Sequence, residues 1–198
     1  GSEIYPSDGD TPIGYFGQSV SLSSDGFTLA IGAPFEYIND IINIGSVRIF
    51  HYNGNSWQQL GQTIYGQGAN DMFGNSVCLN SEGNILAAGA DKGINPNLYQ
   101  SGSLRIYQLI GNSWTQLGEN IDGLTALDHL SEVSINNSGT IVGYSSWTYN
   151  QGSGVARIFE YNGNSWQQLG NPIVGIGNSG SGYSIDLNAD GDTVAVGG

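Results

Sequence analysis

The sequence contains little of several residue types, and each shortage excludes a class of structure or function. A single cysteine, Cys78, among 198 residues excludes an internal disulfide framework and a cysteine-based zinc site. Lysine and arginine together number 4 against 17 acidic residues, which gives a net charge of -13. Such a chain repels nucleic acid and anionic lipid, so neither is an expected partner. No apolar run reaches the ~18 residues that a membrane-spanning helix requires, so membrane insertion is not expected.

Glycine and apolar residues, by contrast, are plentiful. The apolar fraction of 38% is sufficient for a hydrophobic core, whereas the charged fraction of 11% is well below the ~25% usual for globular proteins. The scarcity of cysteine and lysine, beside abundant Asn, Gly, Ser and Tyr, favours an extracellular or cell-surface location.

The sequence is built from internal repeats. One unit reads GSVRIFHYNGNSWQQLG at 45–61 and returns with few changes at 102–118 and 154–170. A second unit, FGQSVSLSSDGFTLAIGAP from residue 16, recurs with variations from residues 73, 130 and 181. Repetition on this scale indicates an array of equivalent structural units.

Each period contains four short β-type runs, which in the first period centre on 19–22, 28–31, 47–50 and 57–60. Asp25-Gly26 and Asn53-Gly54 are tight hairpin signals, because glycine accepts the positive φ that such turns require. Four antiparallel strands per period predict an all-β fold, a β-propeller built from four-stranded blades. Two-layer sandwiches and solenoids account for the period less well.

The chain holds about 3.5 such repeats. We interpret 1–198 as one array, divided into a partial blade at 3–44 and repeats at 45–101, 102–153 and 154–198. The ring is therefore expected to be incomplete, or to be completed by a homo-oligomer or by additional blades of a parent protein.

The phrases FG…GAP at 16–34 and FG…GAD at 73–91 resemble FG-GAP repeats, the blades of the integrin α-type propeller. The combined repeat is also similar to those of extracellular algal and bacterial proteins. The resemblance implies an extracellular propeller that acts in adhesion. Calcium-binding integrin blades carry an Asp-rich loop where this chain has a short Asp-Gly turn. The chain therefore lacks the typical calcium-binding motif, and no cofactor or metal site is predicted.

Arg48, Arg105 and Arg157 are the only arginines and occupy one repeat position on the third strand. Equivalent positions on successive blades do not converge on one substrate, as the arginine triad of a sialidase propeller does. A structural role is predicted, in which a carboxylate such as Asp71 or Asp128 satisfies each buried guanidinium.

Trp57, Trp114 and Trp166 also share one repeat position, which favours packing between blades over three separate sugar platforms. His51 and His129 occupy unrelated repeat positions and show no metal-type spacing. No catalytic residue is predicted.

The second–third and fourth–first links are long and differ between repeats, and loops on a rigid scaffold are where binding residues concentrate. Five aromatic residues in these loops interrupt the repeat and are candidate ligand-binding residues: Phe35, Tyr37, Tyr99, Trp147 and Tyr149. Carboxylates near the same edge are Asp8, Asp10, Glu36, Asp40, Asp91, Asp122 and Asp128. Alternatively, the aromatic rings only plug the loops against the blades.

These observations predict a non-catalytic recognition or scaffold module that mediates protein–protein adhesion or assembly. Aromatic residues among carboxylates and amides suit a protein or a glycan ligand on the long-loop face, so a carbohydrate-binding propeller is the alternative. A propeller hydrolase is a second alternative, which would require titratable groups with shifted pKa values at the centre of the ring.

Overall fold

A computed structural model describes residues 3–4, 14–93, 95, 97–177 and 179–198. These residues form sixteen β-strands and one four-residue helical turn, which confirms the all-β prediction. No helix among them has the length and apolarity needed to cross a membrane.

The strands form four antiparallel sheets in chain order. Sheet 1 comprises β1 Ser19–Leu22, β2 Thr28–Ala33, β3 Ser46–Tyr52, β4 Trp57–Gln59 and β5 Ile64–Tyr65. Sheet 2 comprises β6 Phe73–Leu79, β7 Ile85–Ala90, β8 Ser103–Ile110, β9 Ser113–Gln116 and β10 Ile121–Asp122. Sheet 3 comprises β11 Glu132–Ile135, β12 Ile141–Ser146, β13 Val155–Tyr161 and β14 Trp166–Val174, with the turn α1 Tyr149–Gly152 after β12. Sheet 4 comprises β15 Ser184–Leu187 and β16 Val194–Gly197.

Local turn chemistry explains the hairpins. Gly26 adopts a φ of 76° between β1 and β2, a conformation that costs other L-residues energy. Between β3 and β4, the Asn53 side chain accepts hydrogen bonds from the backbone N–H groups of Asn55 and Ser56, both at 3.0 Å. Both devices reverse the chain within a few residues, so consecutive strands pair in register.

Side chains alternate between two faces along the first strand of each sheet. The apolar face carries a pair of aliphatic residues, namely Val20 and Leu22, Val77 and Leu79, Val133 and Ile135, or Ile185 and Leu187. The small-residue face carries mainly short side chains of the first strand and the small residues opposite them on the second strand. Its first-strand members are Ser19 and Ser21, Ser76 and Cys78, Glu132 and Ser134, or Ser184 and Asp186.

The sheets pack one on the next through these faces. Strand β6 lies against β1 and β2, β11 against β6 and β7, and β15 against β11 and β12. One apolar core lies between sheets 1 and 2 and includes Ile49 and Phe73, and a second includes Leu104 and Val142 between sheets 2 and 3. Burial of these side chains is the main favourable contribution to stacking.

The sheets are out of phase with the sequence units. The predicted partial blade at 3–44 ends inside sheet 1, because β2 pairs with β3 from Ala33↔Ser46 to Thr28↔His51. Repetition in a sequence has no natural starting point, whereas hydrogen bonding assigns each hairpin to a sheet. Of that predicted segment, residues 5–13 lie outside the described residues.

Candidate functional site

The first strands of the four sheets line a continuous groove. Its wider part has a volume of about 610 Å³, within the range of ligand sites in proteins. The remainder, of about 550 Å³, continues along the same strands. The side chains of the wider part that carry polar groups or rings are Gln18, Asn75, Asp91, Ser131, Glu132, Trp147 and Tyr183, together with serines of the first strands.

One repeat position supplies a polar group from every sheet. Gln18, Ser131 and Tyr183 each stand one residue before their first strand, Asn75 occupies the equivalent repeat position within β6, and all four line the groove. Because first strands of neighbouring sheets lie side by side, equivalent positions form a row across the groove. The row presents two amides, a hydroxyl and a phenol, which are donors and acceptors for an uncharged polar ligand.

Two exposed aromatic rings border the same part of the groove. Trp147 follows β12 directly and is 46% exposed, and its backbone N–H donates to Ser131 Oγ at 3.2 Å. Tyr183 precedes β15 and is 71% exposed. An exposed ring beside amides and carboxylates offers an apolar platform with polar groups at its edge.

Only Trp147 among the five sequence-predicted aromatic residues lines this groove. Phe35 packs against Tyr15 with ring centroids 5.1 Å apart. Tyr37 and Tyr99 are 54% and 70% exposed in loops of sheets 1 and 2. Tyr149 begins the turn α1.

Asp91 lines the groove beside His129, with 3.3 Å between Asp91 Oδ1 and His129 Nδ1. Burial raises the pKa of the Asp91 carboxyl, while the neighbouring His129 opposes the rise. Glu132, the other carboxylate of the wider part, accepts a hydrogen bond from the backbone N–H of Ile185 at 3.0 Å.

The other carboxylates of the sequence-predicted edge have local partners. Asp122 accepts from Asn95 Nδ2 at 2.6 Å, and Asp128 accepts from Thr125 Oγ1 at 2.6 Å. Asp40 accepts a long hydrogen bond of 3.5 Å from the Tyr37 hydroxyl. Two further members, Asp8 and Asp10, lie outside the described residues.

Two of the three arginines each bind a carboxylate through two hydrogen bonds. Arg105 binds the predicted partner Asp71 through two hydrogen bonds of 2.6 and 2.9 Å. Arg48 binds Glu36 at 2.7 and 3.0 Å.

Arg157 differs from the other two because it does not bind Asp128, as the sequence had suggested. Its guanidinium binds Gln168 Oε1 at 2.6 and 2.9 Å, the Tyr144 hydroxyl at 2.8 Å and the Asp122 carbonyl at 3.0 Å.

The repeated tryptophans contact strands rather than the groove. Trp114 donates through Nε1 to the Leu60 carbonyl of the preceding sheet at 2.9 Å, and Trp166 donates to the Leu117 carbonyl at 2.8 Å. Trp57 packs against Tyr52 within sheet 1, with ring centroids 5.3 Å apart.

Among the described residues, no three His, Cys, Asp or Glu side chains lie close enough together to hold a metal ion. Cys78 lines the narrower part of the groove, and burial raises the pKa of its thiol. His51 lies on β3, at 3.5 Å from Thr28 Oγ1.

Sequence reasoning missed Gln18, Asn75, Ser131, Glu132 and Tyr183, which lie in or next to the first strands rather than in the long second–third loops. The available signal was the repeat position of Gln18, Asn75, Ser131 and Tyr183, which is polar or aromatic and differs in every copy. The sequence matches neither a protein-family model nor a curated protein.

Proposed function

We propose that the four sheets are successive blades of a propeller-type array, and that the chain is a non-catalytic recognition module of an extracellular or cell-surface protein. Two features support the blades: the sheets pack face to face in chain order, and their first strands lie side by side. In a propeller the first strands line the centre, so in the proposed array the groove belongs to the centre of the ring.

The ligand class that fits the groove best is a neutral glycan. The observation that carries this proposal is the position of Trp147 and Tyr183 beside the polar row of Gln18, Asn75 and Ser131. The apolar face of a sugar ring packs on an exposed aromatic ring, while its hydroxyls bind amides and carboxylates. Among the residues that the structure describes, no lysine or arginine lines the wider part, so an anionic ligand would meet Asp91 and Glu132 without a counter-charge.

A screen of neutral oligosaccharides, followed by calorimetry on the best binder, tests the proposal. Trp147→Ala and Tyr183→Ala are each expected to weaken binding at least about tenfold, equivalent to ~1.4 kcal/mol. Tyr99→Ala is the matched control, because Tyr99 is as exposed as Tyr183 but lies outside the groove. A screen without binders, or equal losses in all three variants, would refute glycan recognition by the groove.

The same samples distinguish recognition from hydrolysis. A recognition module returns the bound oligosaccharide intact after long incubation. Chain shortening that is lost in Asp91→Asn would instead support a propeller hydrolase, because Asp91 is the groove carboxyl whose pKa is raised by burial.

Protein-mediated assembly is the second candidate function. It is favoured by the exposed aliphatic side chains of β1, Val20 and Leu22.

A further inference from the structure

We infer that the chain associates head to tail with a second copy of itself, through the apolar face of sheet 1 in one copy and the small-residue face of sheet 4 in the other. The inference makes no use of the ligand that the groove binds, although the two faces share residues with the groove lining, among them Val20, Ser184, Asp186 and Ala195. It extends a contact that the molecule already makes three times within its own fold.

The internal contacts follow one steric rule. The apolar face of each later sheet packs on the small-residue face of the sheet before it. A Cβ atom on Gly143 of sheet 3 would lie 2.9 Å from Ile185 Cδ1 of sheet 4. Ala30 and Ala87, at the equivalent positions of sheets 1 and 2, are both 0% exposed. A small residue is therefore required wherever a following sheet docks.

Hydrogen bonds between sheets follow a second rule. The backbone N–H groups at the edge of each later first strand donate to side chains of the preceding sheet. Leu79 donates to Ser21 Oγ at 2.9 Å, and Leu187 donates to Ser134 Oγ at 3.0 Å. Two residues earlier on the strand, at the position equivalent to Val20, Val133 donates to Ser76 Oγ at 3.1 Å. These bonds satisfy amides that an edge strand would otherwise expose.

The first–second turns add a third contact, between backbones. The Ser24 N–H donates to the Ser81 carbonyl at 3.0 Å, Ser81 donates to Asn137 at 3.2 Å, and Asn137 donates to Ala189 at 2.9 Å. Each turn thus donates to the turn of the next sheet, and the donor to follow in this series is the Ala189 N–H.

Sheets 1 and 4 expose the two halves of this contact. On sheet 1, Val20 and Leu22 are 61% and 55% exposed, whereas their equivalents Val77 and Leu79 are 7% and 6% exposed. On sheet 4, Ser184, Asp186 and the small residue Ala195 are exposed, although Ala195 is equivalent to the buried Ala30 and Ala87.

Docking of a second copy would repeat the first-strand and first–second turn contacts in register. Val20 N–H of the second copy would donate to Ser184 Oγ, and Leu22 N–H to the Asp186 carboxylate. The Ala189 N–H would donate to the Ser24 carbonyl of the second copy. Because the two surfaces differ, the contact is heterologous, and two copies close on each other or further copies add in the same direction.

Sedimentation velocity over a concentration series tests the inference, using one charge substitution on each face. Val20→Arg places a charge on the apolar face, and Ala195→Arg fills the small-residue face. Each variant is expected to weaken association at least about tenfold, because a buried unpaired charge opposes docking. Ile110→Arg is the matched control, since Ile110 is 60% exposed in the third–fourth hairpin of sheet 2 and belongs to neither face.

Mixing the two variants distinguishes head-to-tail docking from other modes. Val20→Arg retains an intact small-residue face, and Ala195→Arg retains an intact apolar face, so an equimolar mixture is expected to recover a 1:1 pair. Far-ultraviolet circular dichroism and the melting temperature establish that each variant is folded. Added salt is expected to strengthen association of the wild type, because each chain carries a charge of -13.

Three results would overturn the inference. The first is a wild-type chain that stays monomeric at the highest attainable concentration. The second is association that both face variants leave unchanged. The third is a mixture of the two variants that shows no more association than either variant alone.

Discussion

The Arg105 guanidinium donates two hydrogen bonds to the carboxylate of Asp71, with Nη1 2.6 Å from Oδ2 and Nη2 2.9 Å from Oδ1. Both side chains are 0% exposed, and the guanidinium carbon lies 5.2 Å from the centre of the Phe73 ring. The pair ties β8 to the segment that leads into β6, so it joins the two sides of sheet 2.

Arg105→Met is expected to destabilise the fold by about 3–5 kcal/mol, because it leaves the Asp71 carboxylate buried without a counter-charge. Urea unfolding followed by circular dichroism measures the change. Arg157→Met is the matched control, since the Arg157 side chain binds only uncharged oxygens and its loss strands no carboxylate. Equal losses in the two variants would contradict a special role for the buried ion pair.

Gly102 and Gly111 make a matched pair that separates backbone strain from steric exclusion. Both have positive φ, +73° and +63°. A Cβ atom on Gly102 would lie 2.5 Å from the Leu130 backbone nitrogen, whereas one on Gly111 has no neighbour within 4 Å.

Gly111→Ala is expected to cost about 1 kcal/mol, from the strain of a left-handed alanine alone. Gly102→Ala is expected to cost at least twice as much, because the segment before β11 must also move away from β8. Thermal unfolding of the two variants gives both values. Similar melting temperatures for the two would show that the close approach at Gly102 relaxes freely.

The fold is expected to lose stability in alkali because two of its tyrosines are buried. Burial raises the pKa of Tyr107 and of Tyr144 above the ordinary tyrosine value of 10.0, although Arg105 and Arg157 oppose the rise. A raised pKa in the folded chain means that the unfolded chain loses these protons first. The contribution of the two protonated tyrosines to the free energy of unfolding is therefore complete below pH ~10. It is lost as the pH rises through the folded-state pKa.

Tyr107→Phe removes one of these ionisations and retains the ring contact with Phe73. The free energy of unfolding of this variant is expected to fall less steeply above pH ~10, by up to about 1.4 kcal/mol per pH unit. Urea titrations at a series of alkaline pH values measure the slope. Tyr99→Phe is the control, because an exposed phenol meets water in both states. Parallel slopes for wild type and Tyr107→Phe would contradict the prediction.

Hairpins and strand order were predictable because their causes are local. The Asp25-Gly26 turn and the Asn53 side chain act within five residues, so the sequence around them contains all the relevant interactions. The pairing of Arg105 with Asp71 was also within reach, because both residues recur at a constant position in the repeat.

Partners that depend on loop length were not predictable in the same way. The third period is shorter than the second, and Arg157 binds Gln168 and a backbone carbonyl where Arg105 binds a carboxylate. Trp147 and Tyr99 both interrupt the repeat in equivalent loops, and the sequence does not distinguish them. The path of each loop decides that the Trp147 ring borders the groove.

The sequence alone determined the repeat, the all-β character and the alternation of aliphatic and small residues along each first strand, since these follow from side-chain type and spacing. Only the tertiary structure decided which copies of that pattern are covered. Val20 and Val77 occupy the same repeat position, yet Val77 is buried because a small-residue face precedes its sheet. Burial depends on the order in which sheets stack, and stacking order is a property of the folded chain rather than of any one repeat.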